Sequence, residues 1–92
     1  DRSVSRGLGD VYKRQIMNSE IEKRVGSNIR IFRERAGFTQ DYVAAKLQLA
    51  GCDITRSALA KIEVGQRHLY PDEVILLKKI LNVSYDDIFN LD

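Results

Sequence analysis

The chain is nearly without the two side chains most used for metal ligation and nucleophilic chemistry, histidine and cysteine. Its 92 residues hold one cysteine and one histidine. It can form no internal disulfide, and Cys52 with His68 makes no metal constellation. There is no Gly-rich phosphate loop and no set of carboxylates at metal-ligand spacing. These gaps argue against an enzyme and predict neither a cofactor nor a metal. No apolar run approaches the roughly 20 residues that cross a bilayer, and no charged-then-apolar secretory leader opens the chain. The reading is of a protein of a reducing cytoplasm with no membrane partner. At 43% hydrophobic residues, the chain supports one small core and not two.

Net charge is small in total but uneven along the chain. The formal net charge of +2 comes wholly from residues 1–16, and from Met17 onward 11 basic residues face 11 acidic ones. Residues 23–67 nevertheless carry nine basic against four acidic side chains, while residues 68–92 carry two against five. A basic surface set apart from an acidic one is what local phosphate binding requires.

What is present reads as helices. Residues 1–16 have Gly and Ser punctuation and no apolar period; they are expected to be a non-native or disordered leader, with Met17 as the natural start. The run also resembles translated adapter sequence. A basic arm that wraps a duplex is the competing reading. Ser19 and Glu22 form an S-x-x-E capping box that opens a first helix, in which Ile21, Val25, Ile29, Phe32 and Ala36 face a core at helical spacing. Gly37 ends it. Lys23, Arg24, Arg30 and Arg35 read as a solvated face.

Thr39 caps a second helix, with Val43, Ala44 and Leu47 as its apolar stripe. Gly51 breaks the chain, and Thr55 caps a third helix with Ala58, Leu59 and Ile62 inside and Gly65 as its stop. The small residues Ala44, Ala45, Ala58 and Ala60 allow the helix axes to approach closely. Leu49 is expected to pack the intervening turn back onto the domain, and Cys52 to be a buried or idle thiol rather than a redox switch. Pro71 opens a fourth helix, with Asp72 and Glu73 at its positive end and Val74, Leu77, Ile80 and Leu81 inward. Asn82 ends it, and Ser84 with Asp87 opens a short fifth helix. The fold class is all-α, a compact five-helix domain over residues 17–92.

Three runs in order, RERAGFTQ (Arg33 to Gln40), VAAKL (Val43 to Leu47) and TRSALAKIEVGQR (Thr55 to Arg67), resemble the lambda-repressor-like (Cro, phage repressor, XRE-type) helix-turn-helix family. The resemblance continues through LLKKILNVSYDDIF (Leu76 to Phe89). It implies a helix-turn-helix whose second helix lies in the major groove of double-stranded DNA. QLAGCDI, between Leu47 and Thr55, lengthens the turn by about five residues over the compact form, which leaves room for a tilted or shifted recognition helix.

The resemblance assigns roles residue by residue. Arg33 and Glu63 match an internal ion pair tying the first helix to the end of the third. Gln40 matches a phosphate contact, and Arg56 and Ser57 match positions that reach base edges. Lys61, further along the same helix, reaches a base or a phosphate, Thr55 a backbone phosphate while capping, and Arg67 a phosphate from the following loop. For Gln40, Thr55, Arg56, Ser57, Lys61 and Arg67 the competing reading is ordinary solvated surface. The expected function is a sequence-specific transcriptional regulator, a repressor acting as a homodimer on two half-sites. Ile88, Phe89 and Leu91 are the candidate dimer surface, or else complete the monomer core. With no second domain expected, regulation comes from concentration or a protein regulator. The rival reading is a protein-interaction module of the same fold, antitoxin-like or antirepressor-binding.

Overall fold

Val25, Ile29, Phe32 and Arg33 recur on one side of a helix, and that side becomes one wall of the core. The computed structural model describes the backbone of residues 4–92 and the side chains of residues 20–92. The elements are α1 (Val4–Arg35), α2 (Gln40–Leu49), α3 (Arg56–Glu63), α4 (Pro71–Leu81) and α5 (Tyr85–Ile88). The domain is all-α, with α1 packed against α3, α4 and α5, and α2 against α3 and α4.

The start of α1 is a correction. The helix runs unbroken from Val4, so Ser19 lies inside it and does not open it. The physical reason is local: VYKRQIM, just ahead of Ser19, contains no Pro or Gly to stop a helix. Glu22 turns instead to His68, whose Nδ1 it meets. Whether residues 1–16 are a leader foreign to the domain is a question that falls outside the described side chains, and outside the described backbone for residues 1–3.

The core is Val25 and Ile29 of α1, Val43 and Leu47 of α2, Leu59 and Ile62 of α3, Leu77 and Leu81 of α4, and Ile88 of α5, joined by Cys52 and Ile54 from the turn. Each fully buried aliphatic side chain contributes about 2 kcal/mol. An exposed pair such as Arg30–Glu34, at 3.2 Å, contributes under about 1 kcal/mol, so the core and not surface pairing holds the fold. Ile21 and Ala36 are exposed rather than inward.

The close approach of helices is made at a residue that composition does not advertise. A Cβ on Gly26 would lie 2.1 Å from the carbonyl oxygen of Ile62, so α1 and α3 touch backbone to backbone there. Among the alanines, Ala44 is buried, Ala58 and Ala60 are half-buried, and Ala45 is exposed.

The lengthened turn, residues 50–55, is ordered by two devices. Gly51 at φ +92° lets its own N–H reach the Gln48 carbonyl (3.0 Å) while the Cys52 N–H reaches that of Leu47 (2.9 Å), the paired bonds of a Schellman ending. Gln48 Nε2 then donates to the Ile54 carbonyl at 2.8 Å. The expected anchor, Leu49, is 84% exposed; Cys52 and Ile54 fill that role because they follow the left-handed glycine that redirects the chain inward.

The tail is held by α1. Asn28 Nδ2 donates to the carbonyls of Ile88 (2.9 Å) and Asn90 (2.7 Å), and Arg24 Nη2 to that of Leu91 (3.2 Å). Ile88 is completely buried. It completes the core and offers no surface to a second copy, which corrects one of the three dimer candidates. Phe89 and Leu91 remain about half exposed.

Candidate nucleic-acid interface

Both helices flanking the turn begin on a threonine cap. Thr39 Oγ1 accepts from the Tyr42 N–H at 3.0 Å, and Thr55 Oγ1 from the Ala58 N–H at 3.1 Å. These bonds satisfy otherwise free donors and fix the direction in which each first turn presents its side chains.

From Thr55 the helical period sorts α3 into two faces. Leu59, Ile62 and Glu63 are buried. Arg56, Ser57 and Lys61 are exposed, with half-buried Ala60 between them. The outward stripe thus carries one arginine, one hydroxyl and one lysine within two turns, and the small Ala60 leaves their flanks clear. Among the described residues, no carboxylate lies within ion-pair distance of Lys61. Arg56 Nε lies 3.7 Å from Asp41 Oδ1, at the start of α2.

Arg33 and Glu63 meet inside the domain. Nε donates to Oε2 at 2.6 Å and Nη2 to Oε1 at 3.0 Å, while Nη1 donates to the Phe38 carbonyl at 2.9 Å. Both residues are buried. The hydrogen bond to Glu63 pushes the Arg33 guanidinium above its ordinary pKa against the opposing cost of burial, so the guanidinium keeps its charge. Its fork geometry ties the last turns of α1 and α3 together.

Two residues assigned to phosphates have internal partners as well. Gln40 Nε2 donates to Glu63 Oε1 at 3.0 Å, which makes Gln40 an outer member of the Arg33–Glu63 cluster. Arg67 donates from Nη1 to Glu73 Oε1 (3.0 Å) and from Nη2 to Oε2 (3.2 Å), and its guanidinium lies over the Tyr70 ring. Glu73 is buried, and it also accepts from the Tyr70 N–H at 3.0 Å, capping α4. Arg67 is therefore committed to holding the loop before α4, and the hydrogen bond to Glu73 raises its pKa.

These pairings thin the basic surface. Of the nine basic residues between 23 and 67, Arg30, Arg33, Arg56 and Arg67 each have a carboxylate in reach. Of the five others, Lys23, Arg24 and Arg35 lie on α1 and Lys46 on α2, so that only Lys61 lies on α3.

A family model described as Helix-turn-helix matches residues 29–88. The chain belongs to that family, of the lambda-repressor and Cro type. No curated protein and no solved structure matches it. In this helix-turn-helix domain α2 is the supporting helix and α3 the helix in the recognition position, joined by the residues 50–55 already described. The helix-turn-helix contains, among its described residues, no group of three His, Cys, Asp or Glu side chains placed to hold a metal ion. No helix there is long and apolar enough to cross a membrane.

Proposed function

We propose that the protein is a sequence-specific, double-stranded-DNA-binding transcriptional regulator that represses by occluding a promoter. The observation that carries this is the outward stripe of α3, with Arg56, Ser57 and Lys61 in solvent on a helix whose other face is sealed in the core. In this reading α3 enters the major groove. The Arg56 guanidinium donates to the O6 and N7 of a guanine, Ser57 reads a neighbouring edge, and Lys61 meets a base or a phosphate. Thr55, the free N–H groups at the start of α2 and the uncommitted N–H of Gln40 anchor phosphates. Arg67 drops out of the phosphate set because Glu73 already occupies it.

One such domain touches few base pairs, so the working species is a homodimer on half-sites about 34 Å apart. No cofactor and no catalytic step enters this reading, and a reducing cytoplasm is its compartment. Selection of bound duplexes from a random pool with the full chain tests it. The expected result is an enriched motif whose binding weakens steeply with salt. An enriched pool indistinguishable from the starting one would sink the proposal.

A second reading is supported by a different observation. An apolar groove of about 580 Å³ lies between α1, α4 and α5, lined by Ile21, Val25, Leu69, Val74, Ile75 and Phe89 among others. A surface of that kind suits a protein regulator or an antitoxin-like role for the same fold. Salt-insensitive binding to a protein, without DNA binding, would select it.

A further inference from the structure

The second residue of α2 and the first residue of α3 carry opposite charges and point to the same place. Asp41 and Arg56 are both well exposed, with Asp41 Oδ1 3.7 Å from Arg56 Nε. Each lies in the first turn of its helix, closed by a threonine cap. The two side chains line one polar recess with Gln40 and Glu63. A carboxylate on an edge meant for phosphates is electrostatically unfavourable unless it acts on something else there.

We propose that Asp41 is a positioning and specificity-determining residue that acts through Arg56. The inference rests on the DNA-reading role given to α3 above. A carboxylate at the Nε edge leaves the two terminal nitrogens of the guanidinium facing outward, the pair that can bridge O6 and N7 of a guanine. It acts in two further ways. It narrows the rotamers of a long, exposed side chain before binding, so less freedom is lost in the complex. It also repels a phosphate that would otherwise capture the arginine at any sequence. In water such a pair is weak; it strengthens as docking on the duplex removes solvent. Asp41 thereby lowers affinity for random DNA and sharpens preference for the operator.

The test uses full-length wild type, D41N, D41E, R56A and D41N/R56A. Each is bound to the selected operator, to the operator with the guanine pair replaced, and to a random duplex, over a salt series. D41N is expected to cut discrimination at that pair about fivefold, the lower end of what a bidentate contact provides, and to tighten random binding. D41E, which restores the carboxylate, is expected to recover part of the discrimination. In the R56A background D41N should leave base preference unchanged. Melting curves separate a mere helix-end role of Asp41, since that would move stability and not base preference. If R56A relaxes the preference while D41N leaves it intact, the positioning role is overturned and the regulator reading survives. If wild type shows no preference at any position, both fall together.

Discussion

Arg67 lays its guanidinium across the Glu73 carboxylate with two parallel hydrogen bonds, 3.0 and 3.2 Å long. The same carboxylate caps α4 through the Tyr70 N–H. One side chain thus closes the loop after α3 and starts the next helix. Arg67→Ala is expected to cost about 2 kcal/mol, because it strands a buried carboxylate. The slope of DNA affinity against salt should stay as in wild type. Chemical denaturation and a salt series on the same variant check the two halves separately; a slope flattened by one unit would return Arg67 to the phosphate contacts.

The Arg33–Glu63 pair is deeper, and single changes there should be more severe. Arg33→Ala or Glu63→Ala is expected to lose about 3 kcal/mol, since each leaves one charge buried without its partner. Replacing both, as Arg33→Met with Glu63→Leu, should lose clearly less than the two single losses added. Urea unfolding of the four proteins closes the cycle. Strict additivity would show that the two side chains do not act as a unit.

Gly26→Ala sets two effects against each other. Alanine favours a helix interior by up to about 1 kcal/mol over glycine. Its methyl would, however, lie 2.1 Å from the Ile62 carbonyl oxygen, and a backbone atom cannot swing aside. Displacing α3 from α1 is expected to win, for a net loss of about 2 kcal/mol. Because α3 carries Arg56 and Lys61, operator affinity should fall with it. A thermal midpoint at or above wild type would show that the helices separate without penalty.

Burial pushes the Cys52 thiol pKa up from its ordinary value. The folded state therefore holds this proton to higher pH than the unfolded state does. The associated stability is fully present below the ordinary thiol range and is lost as pH rises through the raised folded value. At neutral pH the folded protein should react with a thiol reagent far more slowly than the denatured chain. Rapid stoichiometric labelling of folded protein, followed by absorbance, would contradict the burial.

What could be read from the chain alone was whatever a few neighbouring residues decide. Thr39, Thr55 and Ser84 cap the helices they precede because a hydroxyl reaches an N–H only three residues ahead. The core stripes of α2 and α3 followed from period alone. Ser19 misled for the same reason: a capping box is local, and it ends nothing when the preceding residues are themselves helix formers. Apart from Arg33 with Glu63, which the family resemblance implied, polar partners were the least legible. Arg67 and Gln40 show their donors in the sequence, but Glu73 and Glu63 meet them only once the chain is folded. Ile88 and Leu91 are three residues apart and chemically alike. The hydrogen bonds from Asn28 and Arg24 to this tail settle which of them is inside.

The turn between α2 and α3 alternates in its environment. Cys52 and Ile54 are buried, while Ala50, Gly51, Asp53 and Thr55 are in solvent. A probe attached at position 53 would stand in water yet move rigidly with α3, because both of its neighbours are locked in the core. The extra residues thus make a built-in handle: a fluorophore there gives a ruler from this domain to any duplex bound along α3 as proposed, with Arg56, Ser57 and Lys61 untouched.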